Sequence, residues 1–419
     1  MKLYTHQEHI LEKTKRFRKV GYMLDMGLGK TFIGSEKLVS FDTNENIVVC
    51  QKSKVQDWID HFVKYYPQHT IIDLTTKKQQ KVVNMGDDKC IGVINYELIW
   101  RRPDYIPMRN YSLLLDESTM IGNITSKTTM FITKLDPRNV ILLSGTPSGG
   151  KYEKLYPQLK MLGYPKPRYF FMDRYVVQRE LMTNAGFKIK VPTGTYKNVK
   201  ELKVIARRYN CYFMKTEEVI DLPEQTFIPL TCENTSLYKR FVKDRIVVVD
   251  DEDLIGDNSF KKLLGERMLC GVHNPNKIVS YKDILESTND RLIVFYNFKK
   301  ELELLVKATE DRPMSFINGE KRDLNAYENE NNSVTFCQYR AASRGLNLQK
   351  ANKIVYFSPT LSADEYAQSQ KRIHRLGTVQ PCFYYKMMVR GSVEEKIYKA
   401  LDKGIDYDTK LFESEGICD

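Results

Sequence analysis

The stretch "DMGLGKT" (25–31) sets two glycines, a lysine and a threonine within five residues. Glycine has no Cβ, so Gly27 and Gly29 let successive backbone N–H groups close around an anion. Lys30 can then reach the β- and γ-phosphates of a bound ATP, and the Thr31 hydroxyl can ligate Mg²⁺. Met26 and Leu28 complete the candidate ATP-binding loop. Leu24 stands where the longer G-x-x-x-x-G-K-T pattern has its first glycine, so the match is G-x-G-K-T. The competing reading is a Gly-rich turn carrying a solvated lysine. The fold hangs on that choice, and the surrounding sequence decides it.

Short apolar runs recur on both sides. The first half holds "NIVVC" (46–50), "IGVINY" (91–96), "SLLLDE" (112–117) and "VILLSG" (140–145). The second holds "RLIVFY" (291–296), "SVTFCQ" (333–338), "KIVYFS" (353–358) and "FYYKMM" (383–388). Near-continuous apolar strands spaced widely enough for helices predict parallel sheets covered on both faces. Two such sets predict two α/β domains with functional residues at strand ends. Between about 150 and 285 strand signals thin out, and "GYPKPRYFFMDRYVVQR" (163–179) is aromatic and basic. That region reads as helical additions plus the linker, near "DLPEQ" (221–225). Near the end, "SVEEKIYKALDKG" (392–404) predicts a helix with a Ser392–Glu395 capping box, an Ile397/Ala400/Leu401 apolar face and a stop at Gly404.

A chain of 419 residues exceeds one ordinary core. Its formal charge of +12 favours an acidic partner, nucleic acid first. Eight cysteines form no C-x-x-C pair and no H-E-x-x-H is present, so zinc and a disulfide framework are not expected. No apolar run is long enough for a membrane span and "MKLYTHQEHI" (1–10) lacks a signal-peptide segment, so a cytoplasmic location is expected.

"LLLDES" (113–118) ends an apolar run in two carboxylates, which suits Mg²⁺ coordination by Asp116 and water activation by Glu117. "LSGTP" (143–147) ends the next run, and Ser144, Gly145 and Thr146 are candidates to relay the state of the γ-phosphate. The plain alternative there is a turn. "QSQKRIHR" (368–375) sets Arg372 and Arg375 three apart, on one face of a helix, with no acid among them. On charge pattern alone it reads as a solvated basic face, with His374 in a packing role.

"LYTHQ" (3–7), "DMGLGKT", "LLLDES" and "LSGTP", in this order, resemble the first half of a superfamily 2 helicase motor, in wording similar to Swi/Snf-type DNA translocases. "CQKSKVQDWIDHF" (50–62) is similar to a strand-end motif of that family. "IVFYNF" (293–298), "FINGE" (316–320), "AASRGLNL" (341–348) and "QSQKRIHRLG" (368–377) resemble its later motifs, and "MKTEEVIDLPEQ" (214–225) its joining segment. Departures are the absent arginine pair in that segment, Ala342 and Ser343 where glycines are common, and Thr378 where glutamine is usual.

The resemblance implies two tandem RecA-like parallel-sheet domains with helical insertions between them. The first spans 1–225, with its insertion at about 150–225. The second spans 226–419, with a helical part at about 226–285. It implies a DNA-dependent ATPase using ATP and Mg²⁺ (Thr31, Asp116), in which Gln7 contacts adenine and Gly345, Asn347 and Gln368 join the nucleotide site. Arg372 and Arg375 are then arginine fingers on the triphosphate. Lys52, Ser53, Lys299, Lys300 and Arg344 are candidate contacts to DNA phosphates, on double-stranded or branched DNA. Tracking along duplex DNA is the leading expectation, with fork unwinding and a nucleotide-switched loading module as alternatives. A protein partner supplying targeting or nuclease activity is also expected. The Lys-, Asn- and Tyr-rich wording suits an AT-rich bacterial or phage genome.

Overall fold

The computed structural model describes residues 3–76, 89–148, 151–182, 186–219, 222–342, 348–375 and 377–415. The chain divides into two units, 1–220 and 221–419. The division precedes the expected 225/226 boundary because Gln225–Cys232 is a strand of the second sheet, paired in parallel along Cys382–Val389.

The first unit is built on β1 (Lys19–Leu24), β2 (Glu45–Cys50), β3 (Thr70–Asp73), β4 (Cys90–Asn95), β5 (Ser112–Asp116) and β6 (Asn139–Ser144). It continues with β7 (Val176–Met182), β8 (Lys188–Tyr196) and β9 (Cys211–Met214). Seven strands form one sheet in the order β3-β4-β2-β5-β6-β1-β9, parallel throughout. Period-2 alternation sends neighbouring apolar residues to opposite faces. Ile47, Val49, Leu113, Leu115, Val140 and Leu142 face one core. Val48, Leu114, Ile141 and Leu143 face the other, with Ile33 and Leu38 of helix Lys30–Ser40 and Trp58 and Phe62 of helix Val55–Tyr65. Both faces are covered, which explains why these strands read as unbroken apolar runs. Each fully buried Leu, Ile or Val contributes about 1.5–3 kcal/mol of transfer free energy. Strands β7 and β8 leave this sheet as an antiparallel ribbon, so the 150–225 stretch carries strands as well as helices.

The second unit adds β10 (Gln225–Cys232), β11 (Ile246–Val249), β12 (Glu252–Ile255), β13 (Leu292–Tyr296), β14 (Met314–Ile317), β15 (Arg322–Asp323), β16 (Val334–Gln338), β17 (Lys353–Tyr356) and β18 (Cys382–Val389). Its sheet runs β10-β18-β17-β13-β16-β14-β15, antiparallel only at the β14/β15 edge. Pro229, which has no N–H, lies in β10, at the opposite edge. Helices Ser236–Asp244 and Ser259–Gly271 and the β11/β12 ribbon form the added part. In helix Val393–Asp402, the Ser392 hydroxyl accepts from the Glu394 amide at 3.2 Å. The expected box with Glu395 is replaced by this one-sided cap, because the Ser392 amide that Glu395 would accept from already donates to Val389 O at 3.2 Å.

Candidate functional site

Strands β1, β6 and β5 are adjacent and parallel, so their carboxyl ends share one edge. The register sets Met23 opposite Ser144 and Asp116 opposite Leu143. With strands about 4.8 Å apart, three motifs spread over residues 25–147 converge within about 10 Å. Crevices outside the carboxyl ends of parallel strands are where such sheets bind ligands.

The loop after β1 turns through Gly27 (φ 88°) and Gly29 (φ 73°), and Gly29 caps helix Lys30–Ser40. A Cβ on Gly29 would lie 2.0 Å from Gln7 Nε2. Gln7 is buried here: its Nε2 donates to the Leu28 carbonyl at 3.2 Å and its Oε1 accepts from the Tyr4 amide at 2.9 Å. The His6 ring shares a hydrogen bond with the same carbonyl at 3.1 Å. The first helix is thereby pinned to the loop. Lys30 Nζ donates to the carbonyls of Leu24 (2.8 Å) and Asp25 (3.1 Å). Gly145, from the β6 end, packs so close that a Cβ there would be 3.3 Å from Nζ. Asp25 holds the loop's start: its amide donates to Met214 O at 3.0 Å and its Oδ2 accepts from the Thr216 amide at 3.2 Å.

At the β5 end, Asp116 Oδ2 accepts from Trp58 Nε1 at 2.9 Å, while Tyr96 Oη donates to the Asp116 carbonyl at 2.8 Å. Burial raises the Asp116 carboxyl above its ordinary value, against the pull of the Trp58 bond and the charges of Lys30 and Lys54. Placing a cation beside it would reverse that shift. Glu117 sits in the left-handed region (φ 52°), a conformation costing a non-glycine residue about 1–3 kcal/mol. Its Oε1 accepts from Ser144 Oγ at 3.1 Å and from Thr119 Oγ1 at 2.9 Å. Ser144 Oγ in turn accepts from the Thr146 amide at 3.1 Å. Thr146 Oγ1 is buried with no hydrogen-bond partner among the described residues. A nearby phosphate or its hydration would satisfy it. Half-buried Thr31, hard oxygen donors at Asp116 and the glycine-lined loop fit ATP with Mg²⁺. Lys52 and Ser53 lie exposed on the turn after β2.

In the second unit Gln368 belongs to helix Ala363–Gln370 and donates to Asp364 Oδ2 at 3.0 Å. That helix stops at Gln370, so Arg372 and Arg375 ride on the turns beyond it, not on the expected helix face. Their spacing survives through backbone bonds: the Arg372 amide to Ser369 O (3.2 Å) and the Thr378 amide to Arg375 O (3.0 Å). Arg372 is buried, and burial depresses the Arg375 guanidinium. His374 shares a hydrogen bond with Pro223 O at 2.9 Å. Lys299 and Lys300 are exposed and already paired with Glu320 and Asp250. Exposed pairs of that kind are worth about 0–1 kcal/mol, so a phosphate could displace the carboxylates. Arg344, Gly345 and Asn347 lie outside the described residues.

Trp58, Asp25 and Tyr96 escape a residue-type reading. Asp25 and Trp58 lie in the quoted 25–31 and 50–62 stretches without a role assigned there, and Tyr96 ends the 91–96 run. Their roles come from position, which strand pairing alone reveals.

The model of the SNF2-related domain matches residues 10–281, and that of the helicase conserved C-terminal domain matches residues 276–377. The chain is 26% identical to DNA repair and recombination protein RAD26 of Saccharomyces cerevisiae, over 68% of this chain and 30% of that protein. It is 23% identical to nuclear protein STH1/NPS1 of the same yeast, over 93% of this chain and 33% of that protein. The chain thus spans about a third of the length of these curated relatives. A solved Sulfolobus solfataricus SWI2/SNF2 ATPase core in complex with dsDNA aligns with TM-score 0.46 at 18% identity, covering 99% of this chain and 92% of that one.

Proposed function

From the premise that the chain belongs to the SNF2-related domain family, we propose that it is an ATP-driven translocase on double-stranded DNA, remodelling DNA structures or protein–DNA complexes. The observation that carries this reading is the shared strand edge. Register brings the Lys30 loop, Asp116–Glu117 and Ser144–Thr146 together in one unit.

In this proposal Gly27, Gly29 and Lys30 hold the β- and γ-phosphates, and Gln7 reads the adenine from beside the loop. Thr31 and Asp116 would hold Mg²⁺, which neutralises charge on the phosphate oxygens. Glu117 orients the attacking water and takes its proton, and its bond to Ser144 lets the 144–146 turn register whether the γ-phosphate is present. Arg372 and Arg375 supply positive charge to the transferred phosphoryl group, an effect worth ~10³–10⁵ in rate. That corresponds to roughly 4–7 kcal/mol of barrier. Lys52, Ser53, Lys299, Lys300 and Arg344 contact the DNA backbone, giving salt-sensitive binding with little sequence preference.

The test is steady-state ATP hydrolysis with and without duplex DNA, beside triplex displacement and fork unwinding. Strong stimulation by duplex with triplex displacement supports the translocase. Fork unwinding without triplex displacement replaces it with a helicase, and nucleotide binding without turnover with a switched loading module. Lys30→Ala is expected to abolish hydrolysis and keep DNA binding; near-normal turnover in it refutes the phosphate-loop assignment.

A further inference from the structure

Positive charge is unevenly spread along this chain. Residues 163–210 hold eleven Lys and Arg against three Asp and Glu, a surplus of eight out of the formal +12. All eleven basic side chains are exposed. Among the described residues only two meet a carboxylate, Arg174 with Glu201 at 2.6 Å and Lys188 with Glu180 at 3.6 Å.

The fold turns this surplus into one presented surface. Helix Val199–Arg208 buries Leu202 and Ala206 and exposes Lys200, Lys203 and Arg207 along one flank of its outer surface, spaced three and four apart. Like charges at that spacing destabilise a helix by about 0.2–0.5 kcal/mol per pair. A bound polyanion would offset that cost. The β7/β8 ribbon is tied to the same helix at its root. Arg174 and Tyr175 both donate to Glu201, the latter at 2.9 Å, and Asn198 Nδ2 donates to Arg174 O at 2.9 Å. Register puts Lys190 opposite Glu180 and Lys188 opposite Met182 on one face of the ribbon. Leu181 and Ile189 oppose each other on the other face, 38% and 44% exposed. A two-stranded ribbon has the width that a DNA major groove admits, and apolar side chains on one of its faces suit the thymine methyls there.

We propose that this appendage of the first unit is a second DNA-binding surface, on which the Lys200/Lys203/Arg207 stripe and the ribbon's Lys188 and Lys190 grip phosphates while the Leu181/Ile189 face of the ribbon enters the major groove of the same duplex. The proposal rests on the reading of DNA as partner and adds a contact that none of the motif residues makes. Duplex DNA is favoured over an acidic protein because the exposed stripe Lys200/Lys203/Arg207 is single-signed, Glu201 of the same helix being taken up by Arg174 and Tyr175, and the charge continues onto a groove-sized ribbon.

The experiment measures the dissociation constant of the full chain for a labelled random-sequence duplex across a salt series. Two variants accompany it: Lys200→Gln/Lys203→Gln/Arg207→Gln and Lys188→Gln/Lys190→Gln. Each lost phosphate contact lowers the slope of log K against log salt by about 0.9, so the slopes should fall by about 3 and about 2. Both variants alter exposed positions and should unfold at the parent's temperature. Slopes equal to the parent's overturn the inference, leave the proposed function standing, and point to an acidic protein for that face. A parent that binds no duplex overturns both. A parent that binds duplex with the expected slope changes in its variants, yet hydrolyses no ATP, upholds this surface and refutes the motor.

Discussion

Trp58 Nε1 donates to Asp116 Oδ2 at 2.9 Å, joining helix Val55–Tyr65 to the end of β5. The bond favours the ionised carboxylate in a site where burial disfavours it. Trp58→Phe keeps an aromatic ring and removes the donor, so the Asp116 carboxyl should rise further. The acidic limb of the pH–rate profile for ATP hydrolysis should then move to higher pH, with kcat at neutral pH lowered about tenfold for the lost charge-assisted bond. An acidic limb identical to the parent's would show that Asp116 does not act as an ionised ligand.

Glu117 is held by Ser144 and Thr119 in a left-handed conformation. Glu117→Gln preserves size and hydrogen bonding while removing the base, so it should bind ATP like the parent and turn over ~10²–10⁴-fold more slowly. Ser144→Ala should leave ATP affinity alone and reduce the stimulation of turnover by DNA. Nucleotide titration beside turnover separates these outcomes; equal loss of both in Glu117→Gln would indicate misfolding.

His61 lies among the rings of Phe32, Trp58, Phe62, Tyr65 and Tyr66, with Ser35 Oγ as its polar partner at 2.9 Å. Burial pushes its imidazole down from 6.5 to about 4. Between those values the unfolded chain binds a proton that the folded one refuses, so this group's contribution to stability is complete above pH 6.5 and is lost as pH falls toward 4. His61→Phe should flatten that dependence. Urea midpoints measured across the window check it, and a variant with the parent's pH slope contradicts it.

Lys277 and Glu394 form a buried pair at 2.6 Å in the second unit. Lys277→Met leaves a buried carboxylate uncompensated and should cost about 3–5 kcal/mol. Lys277→Met/Glu394→Met removes both charges and should recover much of that loss, although the Val389 amide loses its acceptor at 3.1 Å. Denaturant unfolding of the three proteins decides it: a double variant no better than the single one would mean that the pair contributes more than mutual neutralisation.

The strands visible in the sequence were the central ones. Ile47–Cys50, Leu113–Leu115 and Val140–Leu143 are buried on both faces and so are apolar throughout. Edge strands such as Thr70–Asp73, Cys211–Met214 and Gln225–Cys232 bury less, mix in polar residues and, at Pro229, break the usual wording of a strand. The phosphate loop and the Asp–Glu pair were legible because their chemistry needs particular residue types at close spacing. The supporting bonds from Trp58, Tyr96 and Thr216 were not, since they depend on which strands lie side by side. The β7/β8 ribbon was hidden by its exposure: Lys188, Lys190 and Thr193 look like a loop when no core face disciplines the pattern.

A sheet whose strands all run one way has a reactive rim and a silent one. In the first unit, Leu24, Asp116 and Ser144 end at the former, while Lys19, Ser112 and Asn139 begin at the latter. Lengthening the connections that enter those three strands moves no group able to touch a phosphate. Evolution, or an engineer seeking a place to graft a tag or a fused module, therefore has a whole margin of this unit on which to build without disturbing its chemistry.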